Sequence, residues 1–221
     1  MRHEMPKTKA LFVHNTDAEV EEGGRYAVFE EKRSSTVAGV AYPTKGSRSS
    51  LACTRAIDTA VDSFMERPSE SDTALYMIGQ FMDDGIKKLQ EGDKEFKCSV
   101  ALLYISKGKA RVYPAGYSAV IFFEEGAKKN VWYGDAVPIG TGSHDNMQLP
   151  EVLSLGKESR FIFIAAADME TVKQAVAYYE ESKGEDADGE AAFMADKHCA
   201  YVNLYLPERK RDIIGLRGLM G

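Results

Sequence analysis

The chain has 221 residues, 44% hydrophobic and 28% charged, the balance of an ordinary globular protein with ample length for a sizeable core. Its net charge of −6 and the lack of a long basic stripe speak against nucleic acid as a partner. Met1 to Ala10 lack the apolar core of a secretory signal and no run is long enough to span a membrane, so no membrane partner is expected and the expected compartment is a reducing cytoplasm. The cysteines, Cys53, Cys98 and Cys199, are odd in number, widely separated and set in apolar runs. That pattern fits free buried thiols, not a disulfide framework or a structural zinc site.

In chain order, Ala10 to His14 is a short apolar run ending in the turn-prone Asn15-Thr16-Asp17. Arg25 to Glu30 alternates as a strand does. Ser35 to Tyr42 is a further strand that stops at the breakers Pro43 to Gly46. Two helices follow. Leu51, Ile57, Ala60, Val61, Phe64 and Met65 share one helical face, and so do Leu75, Ile78, Phe81, Met82, Ile86 and Leu89. Ser71 or Asp72 suits the N-cap of the second helix. Its Met and Phe stripe reads as core, not as a cofactor pocket.

Lys97 to Phe123 holds three β-rich runs, Val100 to Ile105, Ala110 to Tyr113 and Ala119 to Phe123, separated only by turn residues. They predict a three-stranded antiparallel meander in the middle of the fold. Asn130 to Tyr133, Leu149 to Leu155 and the strongly apolar Arg160 to Ala167 extend the strand count. Asp168 ends the last of these, and Met169 to Ser182 predicts a helix with Val172, Ala175, Val176 and Tyr179 inward. Lys183 to Gly189 reads as a charged loop, Ala191 to Ala195 as a short helix and Cys199 to Leu206 as the last strand. The element order favours an α+β protein in which helices flank two stacked antiparallel sheets. One domain is expected over residues 1–206. The basic segment 207–221 reads as a disordered tail, with docking onto a partner as the alternative.

Several familiar patterns fail on inspection. Gly116-Tyr117-Ser118-Ala119-Val120 starts like a nucleophile elbow but lacks the closing glycine and runs into a strand. Gly140-Thr141-Gly142-Ser143 lacks the third glycine and the helix that dinucleotide binding requires. Around Asp186 to Glu190, a calcium loop would place Gly184 and Ala195 at ligand positions, which neither can fill. His3, His14, His144 and His198 are scattered, and His198 points to the strand face opposite Cys199.

Taken in order, the motifs resemble those of the metal-dependent protein phosphatases of the 2C type. Asn15-Thr16-Asp17-Ala18 is similar to the family's early NEDA-type motif. Val37 to Gly46 stands where the family has a strand leading into Asp-Gly, followed by the two helices. Ala115-Gly116-Tyr117-Ser118 resembles its GDS motif, Phe161 to Asp168 the strand leading to SDG, and Lys197-His198 the DN position before the terminal strand. The resemblance spans nearly the whole chain and implies a four-layer αββα sandwich of two antiparallel sheets flanked by helices.

It also implies a site at which two Mg²⁺ or Mn²⁺ ions are held by aspartates and activate a bridging water, since hard divalent ions need several carboxylate oxygens. The departures fall on those aspartates. The central position reads Tyr42, followed by Pro43, the GDS position reads Tyr117 and the DN position reads Lys197. A phenol with a pKa of about 10 is neutral at pH 7 and does not replace a carboxylate, and a lysine repels a cation. The position of the phosphate-binding arginine reads Phe12. Asp17 and Asp168 remain, with Asp196 as a shifted substitute. The expectation is a degenerate site over Asp17, Tyr42, Tyr117, Asp168, Asp196 and Lys197, with no catalytic residue, no metal and no cofactor.

Three functions follow. The first is a catalytically inactive phosphatase-like domain that acts as a protein-binding or regulatory module, its protein partner unidentified. The second is a divergent Mn²⁺- or Mg²⁺-dependent serine/threonine phosphatase using Asp17, Glu30 and Asp168. It requires Tyr26 to Glu30 to be the central strand, so that Glu30 or Glu31 bridges the ions. The third is an N-terminal nucleophile hydrolase, a class that also layers helices outside two sheets, with Ser35 or Thr36 exposed by processing.

Overall fold

Residues 35–43, the segment with the longest unbroken burial, set the layers: every position from Ser35 to Pro43 is buried. A strand covered on both faces reads as a continuous apolar run, which this one does. The computed structural model describes residues 9–14, 27–32, 35–44, 50–66, 77–89, 96–106, 109–142, 151–155, 158–182, 187–194, 197 and 199–206. Ten strands lie among them: β1 (Lys9–His14), β2 (Ala27–Lys32), β3 (Ser35–Pro43), β4 (Cys98–Ser106), β5 (Lys109–Ala115), β6 (Ser118–Glu124), β7 (Ala127–Tyr133), β8 (Glu151–Ser154), β9 (Ser159–Ala166) and β10 (Cys199–Leu206). The helices are α1 (Ser50–Glu66), α2 (Ile78–Lys87), α3 (Met169–Ser182) and α4 (Ala187–Met194).

The strands form two five-stranded sheets, ordered β1-β10-β9-β6-β7 and β2-β3-β4-β5-β8. Every named pairing is antiparallel. One core fills the space between the sheets and the space beneath α1 and α2. A second joins the outer face of the first sheet to α3, with Val172, Ala175, Val176 and Tyr179 all buried. The layers therefore run helix, sheet, sheet, helix. On α1, Ala52, Cys53, Ala56, Ile57, Ala60 and Phe64 form the buried stripe, at the three-and-four spacing of one helical face. At Gly39 a Cβ would run into the Ala101 carbonyl and Leu102, so close packing of β3 on β4 demands glycine there. No helix among the described residues is long and apolar enough to cross a membrane.

The predicted meander needs correcting. β4 and β5 pair as expected, but β6 pairs with β7 and β9 in the other sheet, and the free side of β5 is taken by β8. The cause is Gly116, whose φ of 69° lies where glycine carries no steric penalty. The chain turns there, with the Ser118 hydroxyl donating to the Ala115 carbonyl at 3.0 Å, and leaves one sheet for the other. The short helix also starts earlier than expected, at Ala187, inside the stretch read as a charged loop. The expected cap at Ser71 or Asp72, and the tail 207–221, lie outside the described residues.

Candidate functional site

One end of the sandwich gathers Tyr42, Tyr117, Asp168 and Lys197, four of the positions singled out in the sequence. β3 runs out there at Tyr42 and Pro43, which pair with Ser99 and Cys98 at the start of β4. The Ser99 side chain is fully buried, and its hydroxyl donates to the Ala166 carbonyl of β9 at 3.1 Å. The same oxygen accepts from the Tyr117 N–H at 3.0 Å. A backbone bond from the Ala166 N–H to the Tyr117 carbonyl, 2.9 Å, closes the ring. Ser99 thus ties the second sheet to the first at the level of Tyr117 and of Ala166, the latter two residues before Asp168. Sequence reasoning passed over this serine. Its one mark in the sequence was a serine inside the otherwise apolar run from Cys98 to Ile105.

The register settles which way Tyr42 faces. Directly opposed residues of an antiparallel pair share a face, and Ser99, opposite Tyr42, reaches into the other sheet. Tyr42 therefore projects into the space between the sheets, where it is 3% exposed. Tyr117 takes the other side: it packs half-buried against the cluster beneath α3. The two phenols stand close along the backbone but do not line one cavity, as the alternation of β6 dictates.

Asp168 is half-buried, and its carboxylate accepts from the Thr171 N–H at 2.9 Å, the bond of a helix N-cap at the start of α3. Lys197 lies just before β10, whose first residue, Cys199, pairs with Ala166. The Lys197 N–H donates to the Met194 carbonyl at 3.1 Å, and its ammonium sits 5.2 Å from the Phe193 ring centroid. That is cation–π range. Asp17 and Asp196 lie outside the described residues. Phe12 sits mid-strand in β1, paired with Val202.

Glu30 is placed elsewhere. β2 is the edge strand and β3 the inner one, and Glu30 pairs with Val37, five residues from Tyr42 along β3. At about 3.3 Å per residue that is roughly 17 Å from the Tyr42 level. Ser35 and Thr36, the alternative nucleophiles, are buried at the same far end. The Ser35 hydroxyl donates to Ser106 at 3.4 Å and accepts from the Tyr104 phenol at 3.2 Å.

A second polar group braces the turn between β5 and β6. The Asp135 carboxylate accepts from the N–H groups of Gly116 at 3.3 Å and Val137 at 3.0 Å. Asp83, on α2 and 2% exposed, accepts from the Gly140 N–H. Burial, and then the charges of Asp135 and Asp83, push the Tyr113 phenol well above its usual range, so it stays protonated.

A pair of hard divalent ions needs several converging carboxylate oxygens. At the Tyr42 end the described residues offer the carboxylates of Asp168, Asp135 and Asp83, each already bonded to backbone N–H groups, beside the Tyr42 and Tyr117 phenols and the Lys197 ammonium. Among the described residues no three His, Cys, Asp or Glu side chains gather as a metal site. Taken over the described residues, which exclude Asp17 and Asp196, these donors do not by themselves make up a two-ion centre.

No protein-family model matches the chain, and no curated protein sequence matches it. Solved structures do. A serine/threonine phosphatase from S. agalactiae superposes with a TM-score of 0.57 at 12% identity, over 91% of this chain and 100% of that one. The PP2C phosphatase domain of the cell-fate determinant SpoIIE from Bacillus subtilis, solved with a fragment of its regulatory domain, gives 0.63 at 11%, over 92% of this chain and 64% of that one. The SiaA-PP2C domain of Pseudomonas aeruginosa gives 0.62 at 12%, over 91% and 86%. Identities this low speak for architecture alone, and by architecture the chain is a protein phosphatase 2C-like αββα sandwich.

Proposed function

We propose that this sandwich has exchanged phosphoryl chemistry for recognition: it is a catalytically inactive phosphatase-like domain that engages a protein partner as a regulatory module. The observation that carries the reading is Tyr42. By resemblance its position is that of the metal-bridging aspartate, yet it places a buried phenol between the sheets. An aromatic ring there fills space that ions and water would need, and brings no negative charge to hold them. The Lys197 ammonium adds positive charge near the same end. The SpoIIE structure holds a PP2C phosphatase domain together with a fragment of a regulatory domain, which supports a regulatory setting. Residues 207–221, with Arg209, Lys210, Arg211 and Arg217, are the segment best suited to an acidic surface on the partner.

The test is calorimetric titration with Mn²⁺ together with turnover of p-nitrophenyl phosphate. The expected result is no binding heat beyond dilution and no metal-dependent hydrolysis. Mn²⁺-dependent turnover that disappears in Asp168→Ala overturns the proposal and installs the divergent phosphatase, with Asp17 and Asp196 as the carboxylates to examine next.

A further inference from the structure

Two of the three cysteines, 45 residues apart in sequence, meet in the fold. Cys53 lies on the buried stripe of α1, and Cys98 opens β4 on the sheet face turned toward that helix. Both are fully buried free thiols. The Cys98 sulfur approaches the carbonyl of Ala52, the residue before Cys53, at 3.7 Å, so it lies against the turn of α1 that carries Cys53. Cys199 belongs to the other sheet and rests 3.7 Å from the Met194 sulfur. No metal reading competes here, because no third ligand type joins the pair among the described residues.

We propose that Cys53 and Cys98 form a reversible disulfide when the chain meets a peroxide, joining α1 to β4 beside the Tyr42 end. The chemistry is balanced in two steps. One thiol, as its thiolate, attacks the peroxide oxygen; the O–O bond breaks, a sulfenic acid forms and water leaves. The second thiol then attacks that sulfur, the S–S bond forms and a second water departs. The protein loses two hydrogens and the peroxide is reduced by two electrons. Burial, and then the neighbouring Cys98 thiol, push the Cys53 thiol up, so Cys53 rests as a neutral thiol in the closed fold and the reaction proceeds as α1 opens from the sheet. The bond matters for the site because Cys98 pairs with Pro43 and adjoins Ser99, so a cross-link holds the helix against the strand that carries the sheet-to-sheet clip.

The experiment incubates the intact chain with hydrogen peroxide to completion, blocks remaining thiols in denaturant, and maps peptides by mass without reduction. The expected product is a linked pair of peptides carrying Cys53 and Cys98, two hydrogens lighter than their sum and separated by dithiothreitol. It should persist in Cys199→Ser and vanish in Cys53→Ser and Cys98→Ser. Full alkylation of both thiols, conversion to sulfinic or sulfonic acid, or a disulfide through Cys199 or between chains each overturns the proposal. The native-chain map decides the matter even where a serine variant does not fold.

Discussion

At the end of the sandwich where β3 runs out, the Ser99 hydroxyl carries hydrogen bonds from one sheet to the other. At the opposite end Ser35 exchanges hydrogen bonds with Ser106 and Tyr104, all within one sheet and beneath α1, where Tyr104 stacks on Phe64 with ring centroids 4.7 Å apart. The difference lies in what each serine satisfies. Ser99 bonds backbone groups that have fixed directions, while Ser35 bonds hydroxyls that can rotate toward other partners. A polar group inside a core is worth most where its partners cannot move. The Tyr42 end is thus held by packing, by the Ser99 hydroxyl that joins the sheets and by the Asp135 carboxylate on the Gly116 N–H.

The largest effect should come from Tyr42→Ala, which empties the inter-sheet space and is expected to cost about 4 kcal/mol, as deletion of a buried aromatic does. Urea denaturation measures it. If the loss is recovered by Mn²⁺, the cavity is an ion site after all and the contrast between the ends breaks. Next comes the pair Ser99→Ala and Ser35→Ala. The first strands the Tyr117 N–H and should cost about 2 kcal/mol; the second leaves rotatable hydroxyls and should cost about 1 kcal/mol. Equal losses would mean that direction of the partners does not set the value of a buried serine here.

Much of this architecture was legible from the residues. The continuous apolar runs of β3 and β9, the helical stripe of α3 and the span of β10 all lie where hydrophobic period placed them. Strand pairing was not, because period identifies a strand's faces and says nothing about which sheet it joins. A single glycine with positive φ sent β6 across the sandwich. At the site, Tyr42, Tyr117, Asp168 and Lys197 stand at one end, but the directions of Tyr42 and Tyr117 follow from register, and register is a tertiary fact. Ser99 was invisible for the same reason: a hydroxyl in a strand declares nothing until the opposing sheet is in place.

Tyr113 sharpens the comparison by pH. Its phenol is raised in the folded chain, above an unfolded value of about 10. Folding therefore favours the protonated form, and that stability is complete below about pH 10. As pH climbs past this point the unfolded chain releases the proton first, and stability falls. Tyr113→Phe should flatten that alkaline limb relative to the native chain, with little change at neutral pH, in urea midpoints read across the range. An unchanged limb would mean that Tyr113 does not ionise differently in the two states.

The smallest expected effect separates the two identities of Asp168. As the N-cap of α3 its oxygen accepts from the Thr171 N–H. Asparagine caps about as well as aspartate, so Asp168→Asn should shift stability by less than about 0.5 kcal/mol, while Asp168→Ala loses about 1 kcal/mol. A metal ligand obeys a different rule: the amide keeps the shape but loses the charge, and a hard cation responds to the charge. Thermal melts of the native chain and both variants, with and without Mn²⁺, therefore form a grid. If Asn and native melt together in every column and Ala sits below both, Asp168 is a cap that has outlived its ions. If native alone rises with Mn²⁺, the carboxylate still binds metal, and Tyr42 has closed the sandwich without closing the site.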